Sequence, residues 1–279
     1  MNFRDFKLMS NGLSDIGLVR SNNEDVWSAL NDYGFFILAD GMGGHNAGEI
    51  AAKEAVTFIS TSMEELFLAS ENSWNIFELS SFTKLFIENA NSWVYRLGKE
   101  KKEYRGMGTT ICALLFHEKS LIYGHVGDSR IYRFRNEKLE QLTVDHSLKN
   151  ELISQGRFSN NNEQPFPYKN VLTRAIGTQQ DVEVETHITP VNINDVYLMC
   201  SDGLSDYVPH KEILSILKEE TSLDIASAKL IERAKLHGGQ DNITVVIVRV
   251  EEHEKANLSK EKKSNISKLS SLRKGADRL

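Results

Sequence analysis

Several acids stand where a buried, strand-like run stops and a glycine begins: Asp40-Gly41 after Phe35 to Ala39, Asp202-Gly203 after Val196 to Ser201, and Gly127-Asp128 after Leu121 to Val126. A carboxylate at a strand end is held by a rigid sheet, and an adjacent glycine lets the backbone turn or present its carbonyl to a ligand. Asp241 precedes the run Ile243 to Val248, so it can enter the same rim from the opposite direction. Any single Asp-Gly pair is explained by an ordinary turn. Several converging carboxylates are harder to explain so, because they repel one another unless cations neutralise them. An all-oxygen donor set suits Mg2+ or Mn2+ rather than zinc, and no CxxC or HExxH spacing offers a zinc alternative.

The elements that must position these acids follow from hydrophobic periodicity. Val26 to Leu30 and Gly34 to Ala39 read as strands, the second apolar enough for burial on both faces. Glu49 to Phe67 reads as a helix with Ala52, Ala55, Val56, Ile59, Met63 and Leu66 on one face. A polar link, Ser70 to Ser80, leads to a second helix through Phe82, Phe86, Ala90, Trp93 and Leu97, so an antiparallel helix pair is expected on a sheet. Thr110 to Phe116, Ser120 to Val126 and Arg130 to Arg135 read as meandering antiparallel strands. Residues 145–170, with Asn160 to Asn162, Pro165 and Pro167, read as a helix followed by an irregular loop able to cover a site. Further strands are expected at Asp181 to Ile188, Val196 to Cys200 and Ile243 to Val250, with helices near His210 to Lys218 and Asp224 to Leu236. Sheets packed together with helices outside are the implied arrangement.

The chain has 279 residues and 40% apolar content, enough for a sizeable core. Residues 255–279 carry eight Lys or Arg against two acids, so with a total of −6 the first 254 residues carry −12. A body this acidic repels nucleic-acid backbones and disfavours them as partners. The basic Ser/Lys/Asn-rich end has the composition of a disordered tail, giving a domain over 1–254 and a tail over 255–279. No run approaches the 18 or so apolar residues of a membrane span, so a cytoplasmic protein is expected. Cys112 and Cys200 lie in apolar strand-like runs and read as reduced core residues.

The chain resembles the metal-dependent PPM/PP2C protein phosphatases in their bacterial form. The matching segments are Ser14 to Asp25 (SDIGLVRSNNED), Ala39 to His45 (ADGMGGH), Gly108-Thr109-Thr110, Gly127 to Arg130 (GDSR), Asp145-His146-Ser147, Leu172 to Gly177 (LTRAIG), Ser201 to Asp206 (SDGLSD) and Gln240 to Thr244 (QDNIT), in the family's order. The resemblance implies an α+β fold, a four-layer α-β-β-α sandwich with two central, mainly antiparallel sheets flanked by helices. It implies hydrolysis of phosphoserine and phosphothreonine in proteins, the substrates of a Ser/Thr kinase, by a water or hydroxide bridging two Mn2+ or Mg2+ ions. Asp40 would bridge the metals, Asp202 and Asp241 would complete the first, and the Gly41 carbonyl with Glu24 would serve the second. Asp128 would hold a third, weaker ion shared with Asp202; otherwise it merely caps a turn.

Arg20 is the candidate phosphate clamp, because a planar guanidinium binds two phosphoryl oxygens at once. Met42 stands where eukaryotic members carry a histidine. His45 is therefore the side-chain candidate for the general acid, unless it caps the helix beginning near Ala47 and a metal-bound water gives the proton. His146 reads as structural. The loop Arg157 to Tyr168 resembles the family's flap, and the chain is expected to act as a monomer. Two other classes compete: an inactive binding or regulatory module, which would lack a metal ligand, and a phosphatase for small phosphoesters.

Overall fold

Alternation of side chains along the central strands divides the molecule into layers. The computed structural model describes residues 6–43, 47–69, 74–158, 168 and 171–252. One sheet contains β1 (Lys7–Asp15), β11 (Ile243–Glu251), β10 (Val196–Cys200), β7 (Arg130–Arg135) and β8 (Lys138–Gln141), in that spatial order. The other runs β2 (Asp25–Leu30), β3 (Phe35–Met42), β5 (Ile111–His117), β6 (Ser120–Val126) and β9 (Glu185–Pro190), with the short β4 (Gly108–Thr109) paired to β3. Their recorded pairings are antiparallel.

On β3, Phe36 and Leu38 face the opposing sheet, while Phe35, Ile37 and Ala39 face the helices α1 (Ala47–Ala69) and α2 (Ile76–Glu100). On β11, Val246, Val248 and Val250 face the opposing sheet, and Ile243, Val245 and Ile247 face α5 (His210–Glu219) and α6 (Leu223–Leu236). Two-sided burial with period two is what a central layer requires. The result is the expected α-β-β-α sandwich. The two free cysteines, Cys112 and Cys200, are buried in it as expected.

Several boundaries differ from the expectation, each for a local reason. The alternating N-terminus is an edge strand, β1, which the sequence pattern left unassigned; it pairs with β11 from Lys7↔Glu251 to Asp15↔Ile243. The second helix starts inside the supposed polar link, because Asn75 accepts from Phe77 and Glu78 N–H while Glu78 returns a bond to Asn75 N–H, a capping box. Its most buried face is Leu79, Thr83, Ile87, Ala90 and Val94, with Phe82, Phe86, Trp93 and Leu97 only partly buried beside it. The strand expected from Asp181 starts at Glu185; Val182 and Val184 instead pack on the helix-side core. The short β4, β8 and α4 (Asp202–Ser205) carried too little periodicity to be expected.

The expected meander is also interrupted. β5 and β6 form a hairpin, but β7 belongs to the other sheet, so the chain changes sheets across Gly127-Asp128-Ser129. Gly127 makes this crossing at φ +106°, outside the range comfortable for L side chains. The helix near residue 148 is α3 (Leu148–Ser154). His45, most of the expected flap and the tail 255–279 lie outside the described residues. Among the described residues, no helix is long and apolar enough to cross a membrane.

Candidate metal centre

Antiparallel pairing brings the end of one strand beside the start of its neighbour. Asp40 stands opposite Asp25, Val126 opposite Ile111, Cys200 opposite both Arg130 and Val245, and Ile243 opposite Asp15. Every acid chosen from the sequence lies within two residues of one of these paired positions, so the acids meet at one rim of the sandwich. Arg20, Glu24, Asp40, Gly41, Asp128, Asp202 and Asp241 line a single cavity of about 490 Å3, together with Thr110, Asn242 and a wall from Leu172 to Gln179.

Asp40 does not end its strand as expected. β3 continues through Gly41 to Met42, because both remain in a ladder with β4, Gly41 opposite Thr109. The Asp40 backbone is fixed from several sides: its N–H donates to Thr110 Oγ1 at 3.0 Å, and its carbonyl accepts from Thr110 N–H at 2.9 Å and Thr109 Oγ1 at 2.8 Å. Thr110 Oγ1 also meets Ser129 Oγ at 2.7 Å, tying the Asp40 strand to the Asp128 turn. A side chain at Gly41 would collide with the Gly48 and Glu24 carbonyls, and one at Gly48 with the Glu24 carboxylate. Glycine at both positions lets Glu24 lie between β3 and the start of α1.

Asn242 organises the opposite wall. Its side-chain oxygen accepts from Glu24 N–H at 2.9 Å, while its amide donates to the carbonyls of Ile16 and Asn22. The loop bearing Arg20 and Glu24 is thereby held beside Asp241, whose Oδ1 accepts from Asn242 N–H. Arg20 donates to Asp241 Oδ2 at 2.8 Å. Asp202 opens α4, and the preceding Ser201 donates its hydroxyl to the buried Asp25 carboxylate.

Sequence reasoning assigned no role to Thr110, Asn242 or Asp25, although all three lie in the motif segments. The available signal was a polar residue set immediately beside a strand apolar enough to be buried. Such groups must find hydrogen-bond partners, and here the partners are the backbone and side chains of the acidic rim.

The charges of the rim oppose one another. Burial, then repulsion from Asp25, Asp202, Asp128 and Asp241, pushes Asp40 well above the ordinary carboxylate range. Burial and then Asp128 and Asp241 raise Asp202 to about 8; burial and then Asp145 raise Asp128 to about 6. Burial likewise raises Asp25, whose Oδ1 is buried with no hydrogen-bond partner. A crowded set of oxygen donors with an unsatisfied buried oxygen fits hard divalent cations.

This repulsion sets a pH dependence. Where a native carboxylate has a raised pKa, the native state holds more protons than the unfolded one, and stability falls as pH rises through the native value. His117, His125 and His146, whose pKa values are lowered chiefly by burial, act in the opposite sense, but only below the ordinary histidine range. Between roughly pH 7 and pH 8.5, therefore, the metal-free chain is expected to lose melting temperature as Asp202 ionises. Saturating Mn2+ should remove that slope, because cations replace the protons. Calorimetry at several pH values with and without chelator checks this; an identical flat profile in both would contradict it.

Fold and rim together define an α-β-β-α sandwich with an acidic, oxygen-lined cavity at one rim. A family model described as Protein phosphatase 2C matches residues 4–243, and the chain belongs to that family. It is 37% identical over 240 residues to the serine/threonine phosphatase stp of Listeria welshimeri, across 84% of this chain and 93% of that one. The crystal structure of the Mycobacterium tuberculosis serine/threonine phosphatase PstP/Ppp superposes with TM-score 0.79 at 34% identity, covering 88% of this chain and 99% of the other. A structure of the PstP catalytic domain in complex with 2 manganese ions gives TM-score 0.76 at 33% identity, covering 88% and 98%.

Proposed function

We propose that Asp40, Asp202 and Asp241, with Glu24 and Gly41, hold two Mn2+ or Mg2+ ions and that Arg20 clamps phosphate in the reaction of this family. That reaction is metal-dependent hydrolysis of phosphoserine and phosphothreonine in proteins, and the chain is a protein-serine/threonine phosphatase. The observation that carries the site assignment is the convergence of these residues on one cavity, on backbone held by the bonds of Thr110 and Asn242. Two cations held by these residues would supply Lewis acidity and an activated water as the nucleophile.

The chain's own residues do the remaining work. Arg20, now paired with Asp241, sits at the cavity mouth with its side chain 52% exposed, so it is accessible to an incoming phosphate. Its guanidinium has donors to spare for a phosphate beside that carboxylate and would stabilise charge growing on the phosphoryl oxygens. Asp128, whose charge acts on both Asp40 and Asp202, is the proposed ligand of a third, weaker ion. His45 is the side-chain candidate to give its proton to the departing serine or threonine oxygen; the alternative donor would be a water in the cavity.

The proposed catalytic unit is residues 1–254, with the basic segment 255–279 as an appendage to it. The proposed working unit is a monomer. Its partners are phosphorylated proteins made by a Ser/Thr kinase, and its place is the cytoplasm. The test is hydrolysis of p-nitrophenyl phosphate and a phosphothreonine peptide with Mn2+ or Mg2+, both expected to be cleaved. Cleavage of the ester with no activity on any phosphopeptide would favour small phosphoesters instead. An inactive module is disfavoured because every metal-site residue the resemblance calls for is present.

A further inference from the structure

The Asp128 turn touches a group of polar side chains that the reaction does not use: the buried His125 and His146 and the partly buried Glu185 and Arg174. The ligand atoms of His125, His146 and Glu185 lie within 4.8 Å of one another, which raises the question of a second metal site. Their geometry speaks against it. The two imidazoles stack with centroids 4.4 Å apart and planes 25° from parallel, so their in-plane lone pairs run alongside one another rather than toward one point. Arg174 also places its cation on Glu185 Oε1, at 2.8 Å.

The hydrogen bonds give His146 a different task. Gly127 N–H donates to His146 Nδ1 at 3.1 Å, which requires that nitrogen to be unprotonated. The proton then sits on Nε2 and is donated to Glu185 Oε1 at 3.2 Å. Burial, then the charges of His125 and Arg174, lower the His146 pKa to about 4 and keep the ring neutral. Its backbone is committed as well: His146 N–H donates to the Gly127 carbonyl, and its own carbonyl accepts from Thr173 N–H, both at 2.9 Å. Thr173, with Leu172 and Ala175, forms a wall of the cavity.

We infer that His146 is a positioning residue that joins the Gly127-Asp128 turn to the 172–175 wall, so that the third-cation site and the substrate-facing wall form one mechanical unit. The inference rests on the reading of Asp128 as a cation ligand. A glycine at φ +106° is the softest point of the chain's passage between sheets, and His146 holds it through both its N–H and its carbonyl. Glu185 fixes the ring that makes the first of these bonds, and Arg174 fixes Glu185 while itself belonging to the segment that carries the wall.

Two substitutions separate the roles of the ring nitrogens. Asparagine places an acceptor near the position of Nδ1, and glutamine a donor near that of Nε2. His146→Gln therefore loses the bond to Gly127 and keeps the reach to Glu185; His146→Asn does the reverse. Manganese binding followed by electron paramagnetic resonance, with hydrogen exchange at the Gly127 amide, reads the result without relying on activity. In His146→Gln the weakest manganese site is expected to lose roughly tenfold in affinity, the usual scale for a lost supporting bond, with faster exchange at Gly127. His146→Asn should restore both, although both variants lose the buried ring and melt lower. Asp128→Ala is the reference. If it weakens the weakest site while His146→Gln does not, or if asparagine is no better than glutamine, the inference is overturned on its own. If Asp128→Ala changes no site, the assignment of Asp128 falls and the inference with it. Should His146→Gln not fold, Glu185→Gln, at the half-exposed end of the same chain of bonds, should still speed Gly127 exchange; unchanged exchange would overturn the inference.

Discussion

Asp40→Asn is expected to lower kcat at least roughly 10³-fold, about 4 kcal/mol of lost transition-state stabilisation, without loosening the fold. The substitution conserves shape, and the backbone bonds of Asp40 to Thr109 and Thr110 do not involve its side chain. It also removes a charge that Asp25, Asp202, Asp128 and Asp241 all oppose. The metal-free variant should therefore melt at or above the metal-free wild type at pH 8. Kinetics with p-nitrophenyl phosphate and calorimetry on one preparation check both halves. A simple structural role for Asp40 would instead lower activity and melting temperature together.

Arg20→Ala is the second large effect. The Arg20–Asp241 pair is solvated, with side chains 52% and 25% exposed, so its loss should change stability by less than about 1 kcal/mol. Its loss should nevertheless reduce kcat/KM on a phosphothreonine peptide by roughly 10²- to 10³-fold, the scale of one preorganised donor to developing charge. Arg20→Lys keeps the charge but not the two-pronged geometry and should recover only part of this. Unchanged kcat/KM in Arg20→Ala would leave the ion pair with Asp241 as the residue's whole role.

The site was more legible in the sequence than the path that builds it. Asp128 and Asp202 each follow a run apolar enough to be buried, and Asp241 precedes one, so their attachment to strand ends could be read directly, whereas Asp40 lies inside β3, which runs on to Met42. Their meeting at one rim could not, because it follows from strand pairings between distant segments, such as Asp15 with Ile243 and Arg130 with Cys200. The change of sheet at Gly127 was invisible for the same reason: a hairpin and a crossing between sheets both need a glycine at positive φ. Edge strand β1 alternates clearly but weakly, since it is only partly buried. Conversely, Asp25 stands in a polar segment with no apolar run before it, yet it is buried against Ser201. Sequence spacing says that a polar residue adjoins a strand, but not which way the strand faces it.

The supporting residues form a consistent pattern. Thr110 holds the strand of Asp40 and reaches Ser129; Asn242 holds the loop of Arg20 and Glu24 against Asp241; Ser201 anchors Asp25 next to Asp202. Each uses a side chain to satisfy backbone or carboxylate groups at a sheet rim, where ladder pairing runs out. Mutually repelling acids are thus held close together by bonds that do not depend on the cations.

The central claim, that this rim works by holding two divalent cations, is tested most directly by counting bound manganese and measuring phosphothreonine-peptide hydrolysis in the same titration of EDTA-stripped protein. The rate should be near zero without metal, rise as the second ion binds, and stay near zero in Asp202→Asn at manganese concentrations that saturate the wild type. A rate indifferent to EDTA, or full activity with no manganese or other divalent ion bound, would contradict the account.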